Sequence, residues 1–217
     1  MKRFECLKLM APLIRDQIVV TSGSGQRVEW GHLSQHNGNL FVGSLGNALG
    51  VGLGLAVCLP QRKVIVLESD GSLLLSLFNL PTLANQNPAN LVVIVFDNQA
   101  YSGSKISHPT VTAGKTDLEM TAKGTGIDHA VTVRNTGAFK KEILSALRGK
   151  GLRFIVAKVE ETLDHRKMTR PNVDLLENKY RFVRYLERTE GKTIFFDERG
   201  EGPKPLGQRS GPRCGRP

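Results

Sequence analysis

Two continuous apolar segments constrain the fold of this chain more than any other feature. "KVIVLE" (63–68) and "LVVIVFD" (91–97) are runs of aliphatic, mostly β-branched residues that do not alternate with polar ones. Such strands are buried on both faces, as in parallel sheets covered by helices. Shorter strand-like segments at 17–21, 130–133 and 153–160 are separated by stretches with helical periodicity. We therefore predict an α/β fold with an open, mainly parallel sheet and helices on both faces.

The segments between the strands predict the remaining elements. Residues 72–86 read as one helix disturbed at Pro81, "SGSGQ" (22–26) reads as a loop, and 98–116 is a long polar loop. Loops of that length inside a compact domain are often functional. The other predicted helices are an N-terminal one containing Phe4–Ile14, a Gly-rich one within 40–60 that follows a strand end, and those at 117–126, 137–150 and 174–188.

Length and composition predict one domain with an appendage. The 217 residues are 40% hydrophobic, enough for a full core. We place the domain in residues 1–160, a helical extension in 161–196 and a disordered tail in 197–217, where Gly, Pro and charged residues leave little to bury.

The net charge of +10 raises the question of a nucleic-acid partner. Residues 151–217 hold 15 basic and 10 acidic residues, the same numbers as residues 1–150 in less than half the length. Basic and acidic residues alternate there, which is typical of a solvated surface and argues against nucleic acid.

The chain shows no feature of a membrane or disulfide-stabilised protein. No run of 18 uncharged apolar residues occurs, so we expect no membrane association. The N-terminal "MKRFECLKLM" carries Glu5 and Lys8 within its apolar pattern, which predicts an amphipathic helix rather than a signal peptide. The three cysteines are far apart and form no CxxC motif. We expect a cytoplasmic protein.

Polar residues follow the two central strands. Asp70 comes directly after "KVIVLES", and Asn98, 28 positions later, follows "LVVIVFD". A helix between the two strands would bring their carboxyl ends together, where open parallel sheets bind ligands. Carboxylate and amide oxygens suit Mg²⁺, which completes its coordination with phosphate oxygens and water.

Gly71 allows close approach of a phosphate, and Ser72 begins a helix whose free N–H groups favour an anion. An isolated Asp-Gly step is also an ordinary turn or helix cap.

"SDGS" (69–72) followed by "DNQA" (97–100) resembles the fingerprint of thiamine-diphosphate-dependent enzymes, and "GSLGNALGVGLGLA" (43–56) resembles the segment before it in the decarboxylase branch. The resemblance covers about residues 1–160. It is nearest to the small β subunits of sulfopyruvate and phosphonopyruvate decarboxylase-like enzymes, in which the diphosphate-binding domain is a separate chain.

The resemblance implies thiamine diphosphate and Mg²⁺ as cofactors. Asp70, Asn98 and the Ala100 carbonyl would bind Mg²⁺, and Gly71 and Ser72 would hold the diphosphate. Gly43 would offer its carbonyl to the aminopyrimidine, and Leu45 would keep the cofactor bent for catalysis. The full set of implied cofactor-binding residues is Gly43, Ser44, Leu45, Asp70, Gly71, Ser72, Asn98, Ala100 and Tyr101.

The resemblance also implies an incomplete active site. These enzymes need a Glu beside the pyrimidine, supplied by a pyrimidine-domain (α) partner, and this chain has no second α/β domain. We therefore expect a hetero-oligomer that decarboxylates a small 2-oxo acid of the sulfopyruvate or phosphonopyruvate type. The alternatives are an acetolactate synthase-like carboligase subunit and a non-catalytic assembly or regulatory subunit. The last is motivated by Ser69, which stands where the fingerprint has Gly, and by the basic region 161–217.

Histidines are the other candidate catalytic groups. His108 follows the Mg²⁺-binding stretch and, with Ser104 and Lys105, could face an anionic substrate tail. His32 and His36 lie near predicted loops, where a lone histidine is usually a surface residue.

Overall fold

The structure, a computed structural model, describes residues 1–102, 106–162, 164–168 and 174–194. Ser104, Lys105 and the tail predicted at 197–217 lie outside the described residues. The helices are α1 (Arg3–Met10), α2 (Ser24–Leu33), α3 (Ala48–Cys58), α4 (Asp70–Leu74), α5 (Asn79–Gln86), α6 (Leu118–Gly124), α7 (Thr136–Arg148) and α8 (Leu175–Glu190). The strands are β1 (Ile18–Thr21), β2 (Asn39–Phe41), β3 (Val64–Ser69), β4 (Leu91–Asp97), β5 (Ala100–Tyr101), β6 (His108–Pro109), β7 (Ala130–Val133) and β8 (Arg153–Lys158).

Six strands form a parallel sheet in the order β2-β1-β3-β4-β8-β7, which confirms the predicted fold class. The two segments that carried the prediction, β3 and β4, pair at the centre, with Val64 opposite Leu91 and Ser69 opposite Phe96. The chain moves outward from β1 to β2 and returns to the other side of β1 at β3. Such a change of direction opens a crevice beyond the carboxyl ends of the strands.

Each face of the sheet carries its own hydrophobic core, because successive strand residues point to opposite faces. In β4, Val93 and Val95 pack on one side with α3, α5, α6 and α8. Val92 and Ile94 pack on the other side with α1, α2 and α7. No helix of the described chain combines the length and hydropathy that a membrane span requires.

The segment predicted as one helix at 72–86 forms two helices, α4 and α5, so the prediction of a continuous helix was wrong. The interruption lies at residues 75–78, between α4 and α5, and not at Pro81. Pro81 is the third residue of α5, where a missing N–H breaks no intrahelical hydrogen bond.

The predicted loop at 22–26 contains the first turn of α2. Gly23, at φ 78°, turns the chain after β1, and the helix begins at the next residue. Its buried face, which includes Val28 and Trp30, stabilises a Gly- and Ser-containing start that local propensity disfavours. Within the predicted loop at 98–116, the short strands β5 and β6 pair through Tyr101 and His108.

The helix predicted at 174–188 is α8, and it covers the β2 edge of the sheet. Asn178 accepts a hydrogen bond from the Phe41 amide at 2.8 Å and donates to the Asn39 carbonyl at 3.0 Å. One side chain thereby satisfies an exposed strand edge, which would otherwise present unpaired backbone groups. Arg62 pairs with Glu190 at 2.6 Å and ties the end of α8 to the turn before β3.

Candidate functional site

Residues from three strand ends meet where the sheet changes direction. The segment after β1 contributes Gly23 and Gly25, the start of α4 after β3 contributes Gly71, and the segment after β4 contributes Asn98. All lie beyond the carboxyl ends of their strands, because the strands are parallel.

Asp70 is the first residue of α4 and is fully buried. Its Oδ2 accepts a hydrogen bond from Thr110 Oγ1 at 2.7 Å. Burial raises the pKa of the Asp70 carboxyl, the Thr110 hydrogen bond opposes that rise, and the neighbouring Asp97 adds to it. None of the groups that shift the pKa of Asp70 is a basic side chain.

Asn98 and the Ala100 carbonyl converge on Asp70. One terminal atom of the Asn98 amide lies 3.0 Å from both Asp70 Oδ1 and Ala100 O, and the other lies 3.0 Å from Ser102 Oγ. The amide nitrogen in the first position donates to both oxygens. With the amide rotated, three oxygen atoms would face one another, an arrangement that suits a cation.

Gln99 holds the turn that presents the Ala100 carbonyl. Its φ of 62° lies in the left-handed region, which is strained for a residue with a side chain. Three hydrogen bonds maintain it: Gln99 N to Asp97 Oδ1, Gln99 Nε2 to Thr112 O, and Thr110 N to Gln99 O, at 2.9–3.2 Å. Backbone strain maintained by its surroundings is typical of ligand-binding turns.

A second buried carboxylate, that of Asp97, stabilises the Gln99 turn. Asp97 is fully buried and forms an ion pair with Lys158 at the end of β8. Thr112 Oγ1 lies 2.8 Å from Asp97 Oδ1 and 3.2 Å from Asp70 Oδ2, so its single proton serves one carboxylate at a time. Thr110 and Thr112 thus connect the 108–113 segment to both strand ends.

A cavity of about 230 Å³ opens beside this cluster. Its volume is below the roughly 300–1,000 Å³ typical of small-molecule sites. It is lined by Arg3, Gly23, Gly25, Gln26, Leu45, Ser69, Gly71, Ser72, Asn98, Ala100, Tyr101, Ser102, His108 and His165.

The start of α4 forms one wall of the cavity. Ser69 has extended backbone angles, φ −110° and ψ 161°, which any residue adopts, and its hydroxyl accepts from Ser72 N at 3.3 Å as the helix cap. Ser in place of Gly therefore does not strain this turn. Gly71 must lack a side chain here, because a Cβ atom would overlap the Tyr101 ring.

A chain of hydroxyl groups lies beneath this wall. Gly46 N donates to Ser72 Oγ at 2.8 Å, Ser72 and Ser22 hydroxyls lie 2.9 Å apart, and Ser22 Oγ donates to Glu68 Oε2 at 2.9 Å. Glu68 Oε1 is buried and meets no hydrogen-bond partner within the described part of the chain. Burial raises the pKa of Glu68, and the Ser72 and Ser22 hydroxyls oppose that rise.

Comparison with known proteins assigns this arrangement to a family. The profile of the family "Thiamine pyrophosphate enzyme, C-terminal TPP binding domain" matches residues 23–157, which contain β3, β4 and the cluster of Asp70, Asn98 and Ala100. The chain belongs to this family. Its predicted resemblance to thiamine-diphosphate-dependent enzymes is thereby confirmed.

Relatives that match nearly their full length are β subunits. The chain is 33% identical over 192 residues to "Sulfopyruvate decarboxylase subunit beta" of Methanocaldococcus jannaschii, covering 87% of this chain and 98% of the relative. It is 30% identical over 191 residues to the protein of the same name from Methanococcus maripaludis, covering 86% and 98%.

Solved structures of thiamine pyrophosphate enzymes share the fold. Benzoylformate decarboxylase from Polynucleobacter necessarius superposes with a TM-score of 0.62 at 21% identity, over 74% of this chain and 34% of that one. A thiamine diphosphate-dependent 4-hydroxybenzoylformate decarboxylase from Rhodococcus jostii RHA1 superposes with a TM-score of 0.62 at 22% identity, over 75% and 33%. This chain therefore spans about a third of those longer enzymes.

The donor set of this thiamine pyrophosphate-binding domain fits the family's cofactor. The three converging groups, the Asp70 carboxylate, the Asn98 amide and the Ala100 carbonyl, offer the hard oxygen ligands that Mg²⁺ takes when it is shared with phosphate. Gly71, whose lack of a side chain admits the Tyr101 ring, lines the cavity at the adjoining helix start.

The structure brings most of the predicted site residues together. Asp70 lies in the converging cluster, and Leu45, Gly71, Ser72, Asn98, Ala100, Tyr101 and His108 line the cavity. Gly43 and Ser44 are exposed in the β2–α3 segment, do not line the cavity, and Gly43 approaches Leu175 instead. His32 lies within α2 rather than in a loop.

Sequence reasoning missed one wall of the cavity. This wall consists of Arg3 in α1, Gly23 before α2, and Gly25 and Gln26 in α2, and none of these residues belongs to the motifs that predicted the site. The repeated Gly and Ser residues directly after the "IVVT" strand were the available signal, because a strand–glycine–helix step is a common anion-binding arrangement.

Proposed function

We propose that this chain is the diphosphate-binding subunit of a thiamine-diphosphate- and Mg²⁺-dependent 2-oxo acid decarboxylase acting on sulfopyruvate or a similar substrate. The observation that carries the proposal is the convergence of Asp70, Asn98 and the Ala100 carbonyl beside a cavity at the sheet's change of direction. The β subunits of sulfopyruvate decarboxylase, similar over almost their whole length, support the substrate class.

The chain's own residues would bind and orient the cofactor. Asp70, Asn98 and the Ala100 carbonyl would hold Mg²⁺, and the Gln99 turn would keep that carbonyl directed inward. The backbone at Gly71 would contact the diphosphate. Leu45, which is half exposed in the cavity wall, would support the part of the cofactor that reaches the partner. When bound, the cofactor supplies the electron sink that decarboxylation of a 2-oxo acid requires.

We infer that a partner chain completes the site. No glutamate lines the cavity within the described residues, and the cavity is small for an entire cofactor. An α subunit with a pyrimidine domain would supply the Glu and the second wall. His108, exposed at the cavity rim, would face the substrate rather than the metal.

Native mass spectrometry of the chain purified gently from its own source tests this proposal. We expect a complex of two kinds of subunit that retains the mass of thiamine diphosphate and Mg²⁺. Incubated with a panel of 2-oxo acids, the complex should release CO₂ from sulfopyruvate and yield an aldehyde. An acetohydroxy acid product would instead identify a carboligase. Retention of activity in a complex carrying Asp70→Asn would contradict the proposed metal site. Asp128→Asn, an exposed substitution just before the edge strand β7, is the matched control.

A further inference from the structure

We propose that Arg3 binds an oxyanion in the cavity, where the buried Glu29 is its counterion in the ligand-free chain. The inference rests on the proposed function, since it assigns a ligand to the same site. It brings α1, which carries none of the motif residues, into the binding machinery.

Arg3 is held in one orientation at the cavity wall. It is 8% exposed and lines the cavity, and Glu29 in α2 is fully buried behind it. Arg3 Nε lies 2.7 Å from Glu29 Oε2 and Nη2 lies 3.0 Å from Oε1. This two-point pairing fixes the plane of the guanidinium group. It uses two of the five N–H groups of the side chain, so three remain for another acceptor.

The guanidinium group lies against the first turn of α2. A Cβ atom at Gly25 would approach Nη2 to 2.5 Å and Cζ to 3.1 Å, so the absence of a side chain at Gly25 allows this approach. The first turn of a helix carries unpaired N–H groups and the positive end of the helix dipole. A second cation beside that end is unfavourable by itself. Glu29 neutralises the charge of Arg3. Because both of its carboxylate oxygens bind Arg3, Glu29 provides no anion for the N-terminal end of α2.

An oxyanion in the cavity would interact with both positive groups. The cavity also contains Gly71 and Ser72, the proposed diphosphate contacts, so a phosphoryl group of the cofactor is one source. The sulfonate or phosphonate of the substrate is the other. Both are tetrahedral oxyanions, which a planar guanidinium group binds through paired hydrogen bonds.

Substitutions at Arg3 and Glu29 separate this role from a structural ion pair. Arg3→Met alone would leave Glu29 buried without a partner and could unfold the chain. The double variant Arg3→Met/Glu29→Gln removes both charges, and Glu29→Gln removes only the competing carboxylate. Lys8→Gln, an exposed basic residue on the same helix, is the control. Each full-length variant is checked by circular dichroism and assembled with the partner chain. The complex is titrated calorimetrically with Mg²⁺–pyrophosphate and Mg²⁺–thiamine diphosphate, and the loaded complex with 3-sulfopropanoate.

The proposal predicts opposite effects for the two carboxylate variants. The double variant should bind at least one probe at least tenfold more weakly, whereas Glu29→Gln should bind it as tightly as the wild type or more tightly. Weaker binding of both diphosphate probes identifies the cofactor as the source of the oxyanion. Weaker binding of 3-sulfopropanoate alone identifies the substrate.

Two results would overturn the inference while leaving the proposed function intact. One is binding of all probes by the double variant with wild-type affinity. The other is equal weakening in Glu29→Gln and the double variant, which indicates a purely structural ion pair. A reconstituted wild-type complex that binds neither diphosphate probe would overturn the proposed function, and the inference with it.

Discussion

Asp70 is a buried carboxyl group whose surroundings favour its neutral form when no cation is bound. Burial and the nearby Asp97 both disfavour the charge, and Thr110 compensates only in part. A carboxylate in such surroundings reduces the stability of the ligand-free fold, and the proposed Mg²⁺ would compensate for its charge. The same conflict explains why an apolar strand ends on a charge at all.

Asp70→Asn should separate these two effects. At pH 7 the ligand-free variant should unfold at the same temperature as the wild type or a higher one, because a buried charge has been removed. It should lose most of the stabilisation by Mg²⁺–thiamine diphosphate, and activity of the complex should fall by at least about 100-fold. Differential scanning fluorimetry with and without the cofactor measures both effects. A cofactor-induced shift equal to that of the Asp128→Asn control would contradict this assignment.

Glu68 predicts a pH dependence of stability. Its folded-state pKa is raised above the unfolded value, so the native state binds more protons and stability falls as pH rises through this range. Between about pH 4.5 and neutral pH, the ligand-free wild type should therefore lose stability relative to Glu68→Gln. Urea denaturation of both proteins across this range measures the difference. A difference in unfolding free energy that is constant with pH would show that Glu68 does not titrate there.

Among the elements, α3 shows how closely a helix packs on this sheet. A Cβ atom at Gly52 would overlap Val66 Cγ2 of β3, so the helix approaches the strand only because this position lacks a side chain. The sequence predicts a tightly packed Gly-rich helix here, and the contact between Gly52 and Val66 explains why glycine is needed at this position. Gly54, two residues later in the same helix, is exposed and has open space around its Cα.

Alanine substitutions at these two glycines should have opposite effects on stability. Gly52→Ala should destabilise the fold by about 1–3 kcal/mol through overpacking. Gly54→Ala should stabilise it by roughly 0.5–1 kcal/mol, because alanine loses less conformational freedom in a helix. Chemical denaturation of both variants provides the comparison. Destabilisation by both would show that overpacking against Val66 is not the cause.

At the scale of the whole molecule, exposed apolar side chains lie near the cavity. Phe78 is 75% exposed and Leu75 is 58% exposed in the interruption between α4 and α5. Leu75 also approaches Gly46, beside the cavity-lining Leu45. A partner that completes the site would cover this surface.

Phe78→Ser should weaken assembly of the complex without unfolding the chain. Loss of a large apolar contact at an interface typically costs about 2 kcal/mol or more, which is roughly a 30-fold weaker association. Met120→Ser on α6, at an equally exposed position of 72%, is the matched control because α6 packs against β7 and β8 and contributes no residue to the cavity wall. Analytical ultracentrifugation of the reconstituted complex measures both. Equal effects of the two substitutions would place the partner elsewhere.

The sequence by itself determined the fold class, the central strands and the pair Asp70 and Asn98. Each of these depends on local information: apolar runs set strand burial, and a strand end followed by Gly or a turn sets where a side chain lies. Family membership depends on the same short segments. The interruption at residues 75–78 was missed, because helical periodicity continues through it and only packing decides where the helix ends.

Only the tertiary structure decided which distant residues complete the site. Arg3 meets Glu29 across 26 positions, and Thr110 meets Asp70 across 40. Neither contact leaves a periodic pattern, because each depends on how helices and loops pack around the sheet. The strained Gln99 turn likewise exists only because Asp97, Thr110 and Thr112 hold it. Local sequence specifies the strand ends, whereas packing in three dimensions selects the groups that surround them.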